Sequence, residues 1–293
     1  MTHPTKQHLI TLCFTLFALV AFAANSVLAR IALIENNIDS LSFTGLRLTS
    51  GAIMLALVLL TKHYVLHKPS IQSPLSLAGS NTSAGLLFIY ALSFSIAYLS
   101  VETGTGALIL FGAVQITMIV YQLAQGHRLK IVEWAGIILA FAGLVYLMLP
   151  NLSSPSLFGL VLMSIAGVAW AGYTIRGKSS IDPLTATTGN FIRSLPMCIG
   201  LLVYILTTQH TLTQTGVWLA LISGAITSGI GYALWYVALK GLSATQAGVV
   251  QLFVPVIAAL GGVVFVQEPI TLSFVLASSM ILFGILLITL QRR

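Results

Sequence analysis

The sequence predicts an all-α integral membrane protein of ten transmembrane helices, built as two inverted five-helix repeats. Three observations predict it. Of the 293 residues, 57% are hydrophobic and only 6% are charged, against roughly 25% charged in a soluble domain. The apolar residues fall in ten runs of the length a bilayer core requires, about 20 residues per helix. The second half of the chain also repeats residues of the first. Six carboxylates cannot keep the surface of a soluble chain this size free of apolar patches. Soluble enzymes, nucleic-acid modules and disordered tails are therefore excluded. The runs are continuous rather than alternating, which argues against an outer-membrane barrel.

In chain order the spans are residues 9–29, 42–62, 83–100, 104–124 and 132–149, then 157–175, 186–207, 215–238, 244–266 and 271–290. Span 1 follows Lys6 and closes at Arg30. Its stretch from Leu9 to Val20, ending in Ala21-Phe22-Ala23, also has the form of a cleavable signal peptide, but the repeat requires this helix. Glu35-Asn36-Asn37-Ile38-Asp39 separates it from span 2, which ends between Lys62 and Lys68. Spans 3 and 4 meet near residues 100–104, the weakest break. Gly126-His127-Arg128 ends span 4, and Pro150 to Pro155 separates spans 5 and 6. Asp182-Pro183 precedes span 7, and Glu268-Pro269 divides span 9 from span 10.

The net charge of +7 is a matter of topology. With the N-terminus inside, one side collects Lys6, Lys62, Lys68, Arg128, Lys130, Arg176, Lys178, Lys240, Arg292 and Arg293. Arg30 and Arg47 lie near the other side, and Arg193 enters span 7 from inside. Basic residues accumulate on the cytoplasmic side, so both termini are expected there. Cys13 and Cys198 lie inside apolar runs and imply neither a disulfide framework nor a metal cluster.

The repeat is read from paired residues. Tyr90-Ala91-Leu92 recurs as Tyr232-Ala233-Leu234, 142 residues on. At the same offset Thr103 meets Thr245, Gly106 meets Gly248, Leu110-Phe111 meets Leu252-Phe253, and Gln125 meets Gln267. Arg30 pairs with Arg176, and Arg47 with Arg193, at an offset of 146. The repeats are residues 1–150 and 151–293, each with five spans. Five is odd, so the second copy is inverted. Inverted repeats are the architecture of many secondary transporters, with a substrate site near the midplane between the halves.

Polar side chains inside spans mark candidate sites. Gln115 and Gln251 lie deep at corresponding places, and Asn25 sits in the outer half of span 1. A carboxamide donates and accepts at once, which suits a polar metabolite; helix–helix hydrogen bonding is the alternative reading. Trp and Tyr at span ends are usually interfacial anchors; Trp170 and Trp235 lie further in, where a cavity wall competes with that reading. Arg47 and Arg193 open their spans, where snorkelling to the interface, with Asp39 or Glu35 pairing Arg47, competes with an anion-attracting cavity mouth. Asn190 lies on the face of Arg193. Pro255 and Pro196 predict kinks or hinges. Ser223, Gly224, Ser228, Gly229 and Gly231 give span 8 a small-residue packing surface. No P-loop occurs, no intramembrane carboxylate relay is visible, and no cofactor, metal or nucleic-acid partner is expected.

Five stretches in order carry a family resemblance: Asn25-Ser26 through Arg30, Phe43-Thr44-Gly45-Leu46-Arg47, Ala169-Trp170-Ala171-Gly172-Tyr173, Leu252-Phe253-Val254-Pro255-Val256 and Gln267-Glu268-Pro269. Together they resemble the drug/metabolite transporter superfamily, EamA type, over nearly the whole chain. The chain departs from the family at Gly112-Ala113-Val114, which lacks the helix 4 proline, at His127, where the family often has Glu, and at Ala23-Ala24-Asn25, which lacks Trp. The resemblance places Tyr90, Phe94, Trp170, Tyr173, Tyr232, Trp235 and Tyr236 around a central cavity. It implies a non-ATP exporter of a metabolite, amino acid or drug-like solute in a bacterial inner membrane, working as a monomer or weak homodimer. The alternative class is an integral-membrane enzyme or lipid-modifying protein, which needs a catalytic pair near one interface that the sequence does not offer.

Overall fold

A computed structural model describes residues 3–65, 78–126, 130–147, 156–177, 180–207, 211–242 and 250–290. All named elements are helical: α1 (His3–Ile34), α2 (Ser40–Val65), α3 (Asn81–Ala97), α4 (Thr103–Ala124), α5 (Ile131–Leu147), α6 (Leu157–Gly177) and α7 (Pro183–Thr207). They continue with α8 (Gln214–Leu239), α9 (Phe253–Val266) and α10 (Leu272–Leu290). Helices α1, α2, α4, α6, α7 and α8 are long and apolar enough to cross a membrane; α3, α5, α9 and α10 are shorter apolar helices. The one extended pairing among the described residues is a bridge between Ile38 and Leu212. Thr245, Gly248, Lys68, Arg128, Lys178, Arg292, Arg293 and the Pro150 to Pro155 break fall outside the described residues.

The helix starts follow local chemistry. Asp39 Oδ1 accepts hydrogen bonds from the backbone of Leu41 and Ser42 at 3.0 and 2.9 Å, capping α2. Ser80 and Thr213 cap α3 and α8 through Ser83 N and Gly216 N. At the other end of α9, Gln267 takes a left-handed φ of 60°. That conformation costs a non-glycine residue about 1–2 kcal/mol. It turns the chain so that Glu268 N reaches Gly262 O at 3.2 Å and the Glu268 side chain points back into the bundle.

Packing places α6 against α3 and α4, and α1 against α8 and α9; α2 crosses α7 and the middle of α8, and α5 pairs with α10. Small residues set these approaches, because hydrocarbon supplies no hydrophobic force between helices. A Cβ on Gly167 of α6 would stand 2.5 Å from Leu110 O of α4, and one on Gly136 of α5 would stand 2.5 Å from Gly284 O of α10. Outward, the bundle exposes Phe17, Ile53, Val120, Trp134, Phe141, Val203 and Phe265. Such a continuous apolar coat suits lipid, and a soluble monomer rarely carries it.

Helix α8 is not a uniform α-helix. Its middle, Ser223–Ile230, is wound as a π-helix, and so is the last turn of α9, Gly262–Val266. Pro255 lies buried in the first turn of α9, after a break in the helical run at Leu252. An N–H is not needed in a first turn, so Pro255 starts this segment and does not kink its interior. Pro196 lies inside α7.

Candidate functional site

Arg47 stands two turns into α2, and its side chain is only 1% exposed. Arg47 therefore does not snorkel to the interface, and its hydrogen bonds go to partners other than Asp39 and Glu35. Asp39 caps the helix instead, and Glu35 accepts from Asn37. The guanidinium points inward because the bundle offers it partners there. Nε donates to Ser228 Oγ at 3.1 Å and Nη2 to the Tyr90 hydroxyl at 2.9 Å. Its carbon lies 4.7 Å from the Phe94 ring centre and 5.2 Å from that of Tyr90, close enough for cation–π attraction. Nη1 has no hydrogen-bond partner, and the Tyr232 hydroxyl lies close by, interacting with the guanidinium and with Tyr90. A charge at the centre of a span costs about 2.5–3.5 kcal/mol on insertion scales, so a buried guanidinium with a vacant donor needs a functional account.

The π segment supplies the other half of this polar core. Asn25, 2% exposed, accepts from Ser223 Oγ at 2.6 Å and Thr227 Oγ1 at 2.9 Å through Oδ1, and donates to Ser228 Oγ at 3.2 Å through Nδ2. π-Turns recur at functional sites. Here the wider turn sets Ser223, Thr227 and Ser228 toward α1 and α2 together. Gly224 lets α8 touch α2, since a Cβ there would collide with Arg47 O and Ser50 Oγ.

Beside the guanidinium lies a small, mostly apolar cavity with about 20 Å³ of free space, room for about one water in this conformation, lined by Phe22, Asn25, Ser26, Tyr90, Phe94, Ala107, Leu110, Phe111, Trp170 and Tyr232. Trp170 is its hub, with ring centres 5.0 Å from Tyr90, 4.8 Å from Tyr232 and 5.6 Å from Tyr173, on which it stacks. Phe22 meets Trp170, Tyr232 and Trp235 edge-on at 5.7–6.1 Å. The tyrosines matched by the sequence repeat, Tyr90 and Tyr232, thus flank one tryptophan and one arginine.

Of the residues singled out from the sequence, Asn25, Tyr90, Phe94 and Trp170 line this cavity. Arg47 adjoins it through Tyr90 and Phe94. Tyr173 and Trp235 form its second layer. Gln115 and Gln251 are buried elsewhere and do not line it. Arg193, half-buried, donates to Ala78 O at 2.8 Å, and Asn190 accepts from Ser80 N at 2.9 Å; both anchor the chain that enters α3. The sequence reading did not assign Phe22, Ser26, Thr227 or Ser228 to a site. The small polar run of α8 was the available signal, and it reads equally as a packing surface.

A second polar cluster closes the bundle where α1 ends. Arg30 Nε pairs with Glu268 Oε1 at 2.8 Å, and Nη1 donates to Tyr98 O at 2.8 Å. Glu268 Oε2 accepts from Thr103 N at 2.8 Å. Four segments meet in this knot, and both charged side chains are close to nine-tenths buried. Nearby, burial and the charge of Glu268 push the Glu102 carboxyl above its usual range, while Arg30 pulls it down. At the opposite end Lys62 and Asp182 stand 3.7 Å apart, each half-exposed.

Comparison with known proteins gives one family. The pattern of the EamA-like transporter family matches residues 157–290. An uncharacterized protein of Pseudomonas aeruginosa is 44% identical over 96% of this chain and 95% of its own length. Uncharacterized transporters of Archaeoglobus fulgidus and Bacillus subtilis (YoaV in the latter) are 27% and 22% identical, over 70% and 87% of this chain and 74% and 88% of their own. A crystal structure 20% identical in sequence superposes with a TM-score of 0.58, covering 94% of this chain and 99% of that one; at that identity the likeness is one of fold.

Proposed function

Because the chain belongs to the EamA-like transporter family and is a multi-pass membrane protein, we propose that it is a secondary exporter. It moves a small organic solute across a bacterial inner membrane by alternating access, without ATP. The observation that carries this reading is the small aromatic cavity that α1, α3, α4, α6 and α8 line at the level of Trp170 and Tyr90. Cavities near the midplane between repeats are where such carriers hold solute.

Support for two inverted units of five helices, residues 1–150 and 151–293, comes from the packing. α6 lies against α3 and α4 as α1 lies against α8 and α9, while α2 with α7 and α5 with α10 are the self-matched pairs. Exchange of these contacts between halves is a physical route from one open side to the other. With both termini cytoplasmic, as the basic residues favour, the Arg30–Glu268 knot is an outer closure. Ten helices enclose a pathway within one chain, so a monomer or weak homodimer suffices.

The test is flux from proteoliposomes holding purified protein, against a panel of organic anions, zwitterions, cations and neutral solutes. At least one class is expected to move down its gradient without ATP, with Trp170→Ala lowering the rate at least tenfold and leaving the protein folded. Absence of flux for every class from folded protein overturns the reading.

A further inference from the structure

We propose that the cavity, occluded in this conformation and widened when the helices part, selects its solute by an anionic group: an organic monocarboxylate whose carboxylate is held by Arg47 and Tyr232 and whose apolar body lies against Trp170, Tyr90 and Phe94. This rests on the transport reading above and adds the solute's charge and shape.

The charge balance of the site leads to it. Arg47 is 1% exposed, and its bonds go to two hydroxyls, those of Ser228 and Tyr90. No ion pair joins its guanidinium to an acidic side chain among the described residues, whereas Arg30 pairs with Glu268 and Lys62 with Asp182. None of the residues lining the cavity is acidic either. A buried cation kept in low dielectric without a counter-ion attracts one, and the solute is the group that can supply it. The docking atoms are present. Nη1 of Arg47 is a buried donor without an acceptor, the Tyr232 hydroxyl lies beside the guanidinium and interacts with it and with Tyr90, and its ring lines the cavity. Two donors side by side match the two oxygens of a carboxylate.

The same balance rejects other solutes. An aromatic box is also the usual receptor for organic cations, but here the guanidinium already lies over Tyr90 and Phe94 and repels a second positive charge. A zwitterionic amino acid brings an ammonium that needs an acceptor. Asn25 Oδ1, the carboxamide oxygen at the cavity, already accepts from Ser223 and Thr227 and has no lone pair to spare. A bare inorganic anion would satisfy Arg47 and leave the aromatic walls unused.

Shape-matched probes test this on the full-length purified protein: 3-phenylpropanoate, the neutral 3-phenylpropanamide, the cationic 3-phenylpropylammonium, phenylalanine and chloride. Binding is read by thermal shift, and transport by flux into proteoliposomes. The carboxylate is expected to bind at least tenfold more tightly than the amide, the ammonium or phenylalanine. Arg47→Gln should abolish the difference between carboxylate and amide, with its ligand-free melting temperature reporting that it folds. Tyr232→Phe removes the hydroxyl beside the guanidinium and should weaken carboxylate binding about tenfold, which keeps the test available if Arg47→Gln fails to fold. Equal binding of amide and carboxylate, carboxylate binding retained by Arg47→Gln, or chloride alone producing the full shift overturns the proposal; so does binding by none of the probes. Flux separates the two levels. Uptake of the ammonium but not the carboxylate overturns this inference and leaves the transporter. Binding of the carboxylate with no flux of any probe keeps the site and overturns the transporter.

Discussion

At the scale of single residues, the surroundings of a buried group outweigh its place in the sequence. Arg47 begins its predicted span, and position alone sends it to the interface. In the bundle the hydroxyls of Ser228 and Tyr90 and the faces of two rings draw it inward. Its partners come from α3 and α8, 43 and 181 residues away, which no reading of α2 alone can supply. Tyr90→Phe removes the acceptor of Nη2 and leaves the guanidinium with one bonded nitrogen. The expected loss is about 1–3 kcal/mol, read from thermal unfolding in detergent; an unchanged or raised melting temperature would show that the charge is satisfied in another way. The acidic residues outside the spans carry pH dependence of opposite sign. Burial and Glu268 raise Glu102 above the usual carboxyl range, so its contribution is complete below the ordinary value and is lost as pH rises through the folded one. Glu102→Gln should raise the neutral-pH melting temperature and flatten that fall. For Asp182, burial alone would push the carboxyl up, but bonds from Thr185 and the charge of Lys62 outweigh it and hold it low. Its small contribution is present above the ordinary value and disappears as pH drops through the folded one, which Asp182→Asn should remove.

At the scale of elements, hydropathy made the long helices legible and hid their windings. The span expected at 215–238 lies within α8, Gln214–Leu239. Its π segment was not legible, because Ser223-Gly224-Ala225-Ile226-Thr227-Ser228-Gly229 is a good packing surface in either winding. What selects the π-turn is tertiary: Asn25 takes two hydroxyls of that segment, and Arg47 shares the third with it. The four short helices lie where apolar runs were expected, so hydropathy located them without fixing their length. Two glycine substitutions separate packing from propensity. In Gly224→Ala the new methyl meets Arg47 O and Ser50 Oγ. Displacing α2 should cost about 1–3 kcal/mol, the usual range for overpacking, and lengthen the Arg47–Ser228 bond. Gly45→Ala, also in α2, meets nothing within 4 Å and should gain roughly 0.5–1 kcal/mol from the stiffer helix. Melting temperatures that move the same way in both would show that close approach is not what fixes Gly224.

At the scale of the whole molecule, the two ends of the bundle are closed by different chemistry, and the difference predicts how it opens. The Arg30–Glu268 pair is nearly dry and is tied to Tyr98 O and Thr103 N. It fastens the end of α1 to the exits of α3 and α9 and the start of α4. Lys62 and Asp182, at the opposite end, are half in water, where a pair contributes about 0–1 kcal/mol. The sequence made both ends visible as charges beside spans. It did not pair Arg30 with a residue 238 positions on, because that contact depends on the left-handed turn at Gln267, an unusual conformation for glutamine. Removing one charge from a buried pair destabilises the arrangement that held it, typically by several kcal/mol. In Glu268→Gln the uncompensated guanidinium of Arg30 should favour the conformation in which that end separates and water reaches it. Ser26 lines the cavity and reports on access. With Cys13 and Cys198 replaced by Ala, a Ser26→Cys chain in whole cells should react slowly with a membrane-impermeant maleimide added outside. Adding Glu268→Gln should speed that reaction roughly tenfold or more, whereas Asp182→Asn should leave it unchanged. Unaltered labelling in Glu268→Gln, or acceleration by Asp182→Asn instead, would mean that the buried pair holds the helices together without gating the cavity.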